Sequence, residues 1–268
     1  MATLSDSASH FTRLFTDAYR YREVLFNMLA RDLKVKYKRT FFGYFWSVLN
    51  PILQLSIMAA VFSHLVRQEM KNYLLYLFSG FLAWSFFQTS VLMSGLVFLE
   101  NENFIKKVYL PKLIFPLSKL CFRMIDFLVS LAVLSLLGVL LGFSMPASFA
   151  AVPAAIILFF FFTLGASILV GVGTVYFRDL QYLTSVGLQL LYFATPILYP
   201  LSAMPPKYQV WLKLNPLYSQ IQLFHTLIYE GRFPIASEWL AASLAAGGLF
   251  GVGMAVLFLL EEDLVFRM

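Results

Sequence analysis

The chain is 268 residues long, 60% hydrophobic and 13% charged. An average soluble domain is roughly half apolar and a quarter charged, so these proportions exclude an ordinary water-soluble globule. The net charge of +6 sits on basic residues that flank apolar segments, which points to lipid and membrane orientation and sets nucleic-acid binding aside. Cys121 is the one cysteine, which excludes an internal disulfide, and His10, His64 and His225 have no spacing that would make a metal site.

Residues 1–8 are small and polar, and they lack the apolar core and cleavage site of a signal peptide. From Phe11 the apolar positions Leu14, Phe15, Ala18, Leu25, Met28 and Leu29 recur at helical spacing, with charged residues largely between them. That pattern predicts an amphipathic helix lying on the membrane surface. The run Arg31-Asp-Leu-Lys-Val-Lys-Tyr-Lys-Arg-Thr-Phe-Phe-Gly-Tyr-Phe-Trp-Ser-Val-Leu-Asn-Pro51 then passes from a basic cluster through an aromatic patch into apolar sequence. Lys34, Lys36, Lys38 and Arg39 fall at headgroup level, Phe41, Phe42, Tyr44, Phe45 and Trp46 at the aromatic belt, and the residues from Val48 onward in hydrocarbon. The chain thus divides into an N-terminal segment over 1–40 and a transmembrane domain over 41–268.

A hydrocarbon core of about 30 Å needs roughly twenty apolar residues per helix, which predicts six crossings. They run about 43–65, 73–98, 124–143, 150–176, 180–199 and 237–260. The third and fourth come from one uncharged interval, divided at the turn-forming cluster Gly142-Phe-Ser-Met-Pro146-Ala-Ser148. Fifteen of the twenty basic residues fall on the side that carries both termini, so that side is predicted to be cytoplasmic. Arg123 and Asp126, three apart at the start of the third span, are placed to pair on one helix face. Gly138-x-x-x-Gly142 and Gly247-x-x-x-Gly251 would allow close helix approach, within this chain more readily than between chains.

Two connections are more than loops. Glu100 to Lys119 is too polar to cross and carries Pro111 and Pro116, which reads as a short cytoplasmic helix available for docking. On the outer side Thr195-Pro-Ile-Leu-Tyr-Pro200 breaks the fifth span, and Trp211 to Tyr229 is apolar yet interrupted by Asn215-Pro216. Re-entrant helices between the fifth and sixth spans fit this segment, because irregular backbone at membrane depth must be covered by protein or a water-filled path. The predicted fold class is therefore an all-α integral membrane protein with six spans, a cytoplasmic amphipathic helix and an outer re-entrant hairpin.

The run from Arg31 to Pro51, the loop Phe104-Ile-Lys-Lys-Val-Tyr-Leu-Pro111, the turn Tyr176-Phe-Arg-Asp-Leu180 and the segment from Thr195 to Pro216 together resemble the permease of ABC-2 type exporters. Within that family the chain is most similar to members that export O-antigen, capsule or teichoic acid, and closest to the O-antigen exporter subunit. The resemblance implies a homodimer in the bacterial inner membrane, driven by two copies of a cytoplasmic ATP-binding subunit that carries the ATP and Mg. No Gly-x-x-x-x-Gly-Lys-Ser/Thr phosphate loop occurs in this chain, in keeping with a transport subunit that is not itself an enzyme.

By the same resemblance the loop after the second span is a coupling helix, which assigns Asn103, Phe104, Lys106, Lys107, Tyr109 and Leu110 to the ATPase contact, with Arg178 and Asp179 completing it. The substrate implied is undecaprenyl-diphosphate-linked polysaccharide, and Lys34, Lys36, Lys38 and Arg39 are candidates to receive its headgroup or to bind anionic membrane lipid. Tyr44, Trp46, Trp84, Phe87, Tyr192 and Tyr199 are candidate channel aromatics on which sugar rings could stack and slide. Pro196, Pro200, Asn215, Pro216 and His225 mark an outer gate, and His225 stands where family members usually carry an arginine. Two alternatives remain: an ABC-2 permease for a lipid or drug, and a membrane enzyme acting on polyprenyl phosphate. The latter is disfavoured because Asp126 is essentially the only acidic residue inside a predicted span.

Overall fold

The computed structural model describes residues 20–38, 45–66, 70–140 and 142–268, and every regular element among them is helical. In chain order these are α1 (Arg22–Tyr37), α2 (Phe45–Val66), α3 (Met70–Gly95), the short α4 (Val97–Glu100) and α5 (Glu102–Lys107), and α6 (Ile114–Leu140). A 3-10 turn over Ala147–Ala151 leads into α7 (Val152–Tyr176), followed by α8 (Leu180–Phe193). After the short 3-10 turn Leu201–Ala203 come α9 (Pro206–Leu214), α10 (Pro216–Phe224), a π turn over His225–Tyr229, and α11 (Ala236–Arg267). The surface helix predicted from Phe11 lies partly outside the described residues; its second half is α1.

Among the described residues, four segments are long and apolar enough to cross a membrane: Asn72–Gly95, Ile114–Leu140, Ala147–Tyr176 and Ala236–Arg267. They match the predicted second, third, fourth and sixth spans. Of the other two, α2 has 22 residues and is about 33 Å long, with the apolar stretch Leu49–Val61 among its described side chains. At 14 residues, α8 is only about 21 Å long, because the chain bends at Thr195.

The third helix also begins ten residues earlier than predicted, taking in Lys119 and Arg123. Both cations are compensated there: Lys119 Nζ lies 2.9 Å from Asp32 Oδ2, and Arg123 Nη1 lies 3.3 Å from Asp126 Oδ2. Charges that looked like loop residues are thereby accommodated in a helix.

The core forms around α3, which contacts α2, α6, α7 and α8. Phe86 and Phe87 meet Phe127, Phe159 and Phe162 at ring-centroid distances of 5.4 to 6.3 Å with tilted planes, a favoured aromatic geometry. The close approach of α7 and α11 depends on two glycines that the sequence pattern did not single out. A Cβ on Gly165 would lie 2.5 Å from the Leu249 carbonyl oxygen, and one on Gly253 would lie 2.8 Å from that of Gly165. The predicted pair Gly247 and Gly251 instead faces open space on this chain, so it makes no close helix approach within it. The predicted turn at Gly142 is present, with φ +80° at that glycine.

Candidate functional site

One end of the molecule gathers α5, the turn after α7 and the last residues of α11. Ile105 is buried and anchors α5, while Asn103, Phe104, Lys106, Lys107 and Tyr109 are exposed. Lys106 Nζ donates to Glu102 Oε1 at 2.6 Å and to the Met268 carbonyl at 2.7 Å. On the neighbouring side the Arg267 guanidinium lies over the Tyr176 ring at 4.7 Å, and Arg178 and Asp179 follow in an exposed turn. The end of α11 therefore links the two segments that the sequence grouped.

Leu110 is the exception. It is 2% exposed beside buried Leu113, Ile114 and Phe115, so it anchors the loop from beneath and does not belong to its outer surface. Lys112 is buried with it, and its Nζ donates to the Leu110 carbonyl. Burial pushes this lysine below its usual range, against the opposing pull of Glu261.

The predicted basic cluster divides. Lys34 and Lys38 are exposed near the end of α1, and Arg39 lies outside the described residues. Lys36 turns inward, with its Nζ 2.6 and 2.7 Å from the two Asp126 oxygens and 5.4 Å from the Phe122 ring centroid. The expected Arg123–Asp126 pair is present, and Lys36 joins it as a second cation. Together with Lys119 and Asp32, these contacts fasten α1 along α6.

At the opposite end, hydroxyls on α3 hold the broken segment after α8. Tyr73 donates to the Leu198 carbonyl at 2.6 Å, and Tyr76 lies 2.6 Å from the Tyr199 carbonyl and 3.0 Å from that of Pro196. His225 is buried and stacks on Tyr76 at 4.3 Å with an interplanar angle of 3°. Its Nδ1 is 2.7 Å from Ser79 Oγ and its Nε2 is 3.2 Å from the Pro196 carbonyl. A carbonyl only accepts, so the ring donates from Nε2 to Pro196, while Ser79 Oγ lies between Nδ1 and the Tyr76 carbonyl, 2.8 Å from the latter.

Gly80 makes room for the imidazole, since a Cβ there would lie 2.7 Å from His225 Cε1. Asn215 caps α10 by accepting from Leu217 N at 3.0 Å and donates to Thr195 Oγ1 at 2.9 Å. Pro196 is buried within this assembly, Pro200 is partly buried, and Pro216 is exposed. That Tyr73, Tyr76 and Ser79 hold this segment was not foreseen from sequence, where the two tyrosines read only as aromatics of the second span; their spacing of three along one helix was the available signal.

The candidate channel aromatics also separate. Trp84 and Phe87 are 2% and 5% exposed and belong to the core of this chain, so neither faces a path within the single chain. Tyr192 is partly buried against Trp84, with centroids 5.2 Å apart. Tyr199 donates to the Phe193 carbonyl at 2.8 Å, and Trp46 is 46% exposed. Tyr44 lies outside the described residues.

Residues 23–229 match the ABC-2 type transporter family. The chain belongs to that family. As an ABC-2 permease it is 32% identical over 231 residues to the O-antigen export system permease protein RfbA of Myxococcus xanthus, covering 85% of this chain and 89% of the relative. It is 34% identical over 214 residues to the protein of the same description from Klebsiella pneumoniae, covering 77% and 82%. The polysialic acid transport protein KpsM of Escherichia coli is a more distant relative, 22% identical over 213 residues.

Proposed function

We propose that this permease is the transmembrane subunit of an ATP-driven exporter that moves lipid-linked cell-surface polysaccharide, O-antigen in the first instance, across the bacterial inner membrane. The observation that carries this reading is the similarity to O-antigen export permeases over most of the chain. Two copies form the path, two copies of a separate ATP-binding subunit supply ATP and Mg, and both termini lie in the cytoplasm. The excess of Lys and Arg on the terminal side supports that orientation.

The six-crossing reading is retained here with a structural argument. Gln181, at the start of α8, donates to the Leu92 carbonyl of α3, and the segment just after α8 is held by Tyr76 of the same helix. Residues 76 and 92 are about 24 Å apart along α3, so α8 and its broken extension run beside most of a spanning helix. On this reading α9 and α10 dip back into the outer leaflet.

The chain offers a mechanical route between its two ends. A push from the ATP-binding subunit on α5 passes through α4 into α3, whose far end holds the outer hairpin through Tyr73, Tyr76 and Ser79. Lys34, Lys38 and Arg39 remain the cations proposed to meet the diphosphate headgroup or anionic lipid. Trp46, Tyr192 and Tyr199 are the proposed aromatics with exposed surface for the glycan.

The test is crosslinking in the assembled exporter, with Cys121→Ser as background. Tyr109→Cys is expected to crosslink to the co-expressed ATP-binding subunit, and a Leu244→Cys control on α11 is not. Failure of the two subunits to co-purify, or crosslinking from both positions alike, would contradict the assignment.

A further inference from the structure

A polar cavity of about 310 Å3 lies where α1, α2, α3 and α6 meet, at the lower bound of small-ligand sites of roughly 300–1,000 Å3. Three helices each turn a pair of polar side chains toward it, four residues apart: Asn50 and Gln54 on α2, Ser85 and Thr89 on α3, Asp126 and Ser130 on α6. Residues at that spacing share one helix face. Trp46 forms part of the lining, and Lys36 and Arg123 complete it with their charges directed at Asp126.

The amides of Asn50 and Gln54 and the hydroxyl of Ser85 have no hydrogen-bond partner among the described residues. Thr89 donates its proton to the Ser85 carbonyl at 2.6 Å, which leaves its oxygen able to accept. Along α2, Asn50 and Gln54 lie about 8 and 14 Å from the helix start, a depth at which amides facing hydrocarbon would be costly. Asn50 and Gln54 are exposed on this chain, so these groups are open to a polar occupant.

The chemistry of the lining selects the occupant's class. Two cations converge on one carboxylate, so much of their charge is engaged within the wall. What remains available is a set of amides and hydroxyls that both donate and accept, whereas a phosphate only accepts. A polyol offers hydroxyls that do both, and the half-exposed indole of Trp46 offers a flat apolar surface to a ring face.

We infer that this cavity is a saccharide site that holds one sugar residue of the exported glycan, with Asn50, Gln54, Ser85 and Thr89 hydrogen-bonding its hydroxyls and Trp46 covering one ring face. The inference rests on the polysaccharide-export reading above.

The test uses the whole exporter in inside-out membrane vesicles, with Cys121→Ser as background and Asn50→Cys, Gln54→Cys or Leu244→Cys as probes. A membrane-impermeant maleimide reacts with thiolate, which forms in water and not in hydrocarbon. Labelling is expected at positions 50 and 54 and not at exposed Leu244 on α11. It is expected to slow several-fold in vesicles from a glycan-producing strain relative to a strain that makes only the lipid diphosphate carrier. A Gln54→Leu variant is expected to export several-fold less polysaccharide at unchanged membrane abundance.

No labelling at either position, or equal labelling with and without glycan, overturns the inference. Slowing by the carrier alone also overturns it, by assigning the cavity to the headgroup. The export reading fails separately, if surface polysaccharide persists when the gene is deleted.

Discussion

Replacing Asp126 with asparagine should loosen α1 from α6. Two ion pairs run in register between these helices, Asp32–Lys119 at 2.9 Å and Lys36–Asp126 at 2.6 Å. Side-chain exposure is 28% for Lys36 and 17% for Asp126, between the fully buried case, where breaking a pair costs about 3–5 kcal/mol, and the exposed case at about 0.2–1 kcal/mol. A hydrogen bond to a charged group contributes about 1.5–3 kcal/mol, so about 2 kcal/mol is expected for Asp126→Asn. That change also leaves Lys36 and Arg123 without their shared counter-ion.

The assay is a double-mutant cycle of Lys36→Gln and Asp126→Asn, read by thermal unfolding of the purified exporter in detergent. A coupling of about 1–2 kcal/mol is expected, within the usual range for residues in contact. Additivity within about 0.3–0.5 kcal/mol would refute the reasoning and leave α1 held by apolar packing around Met28. The coupling should also survive high salt, because partly buried pairs are poorly screened.

Gly165→Leu should force α7 and α11 apart at a cost of at least about 1–3 kcal/mol, while Gly247→Ala, facing open space, should leave the melting temperature nearly unchanged. Tyr76→Phe removes the hydroxyl that meets the Pro196 and Tyr199 carbonyls. Pro196 keeps the His225 donor, so the loss falls on the partly buried Tyr199 carbonyl at a cost of about 1 kcal/mol, the low end for an unpaired acceptor, and limited proteolysis should then cut faster in the hairpin between Tyr199 and Asn215; an unchanged cleavage rate would count against the latch. Lys106→Glu with Lys107→Glu removes the contacts of Lys106 to Glu102 and Met268. Surface polysaccharide should fall sharply in that variant at normal membrane abundance, and normal export would sink the coupling assignment.

Much of the architecture could be read from the chain because membrane helices announce themselves by length and apolarity. The turn at Gly142, the short helix at Lys106 and the break at Thr195 each carried a local signal in proline, glycine or charge. Less legible were features that depend on which helix lies against which. Asp32 and Lys119 are 87 positions apart, and nothing local says that one neutralises the other inside a helix. The same holds for Lys36, whose sequence neighbours suggested an open headgroup site while its partner Asp126 waits on α6.

Polarity inside a span was the hardest to interpret. Asn50 and Gln54 are polar positions in an otherwise apolar helix, and the sequence alone does not show that they face a cavity completed by α1, α3 and α6. The glycines misled for a related reason, since spacing reports which residues share a face but not which face meets a neighbour. Trp84 and Phe87 lie in the middle part of α3 (Met70–Gly95), where a channel aromatic could equally lie, and only packing places them in the core.

The most direct test of the central claim is the location of newly made polysaccharide after pulse labelling in cells that lack this gene, with and without the gene restored. Export by this permease requires labelled lipid-linked glycan to accumulate inside the inner membrane of the deletion strain and to reach the surface when the gene returns. Surface polysaccharide appearing at the normal rate without the gene would contradict the account.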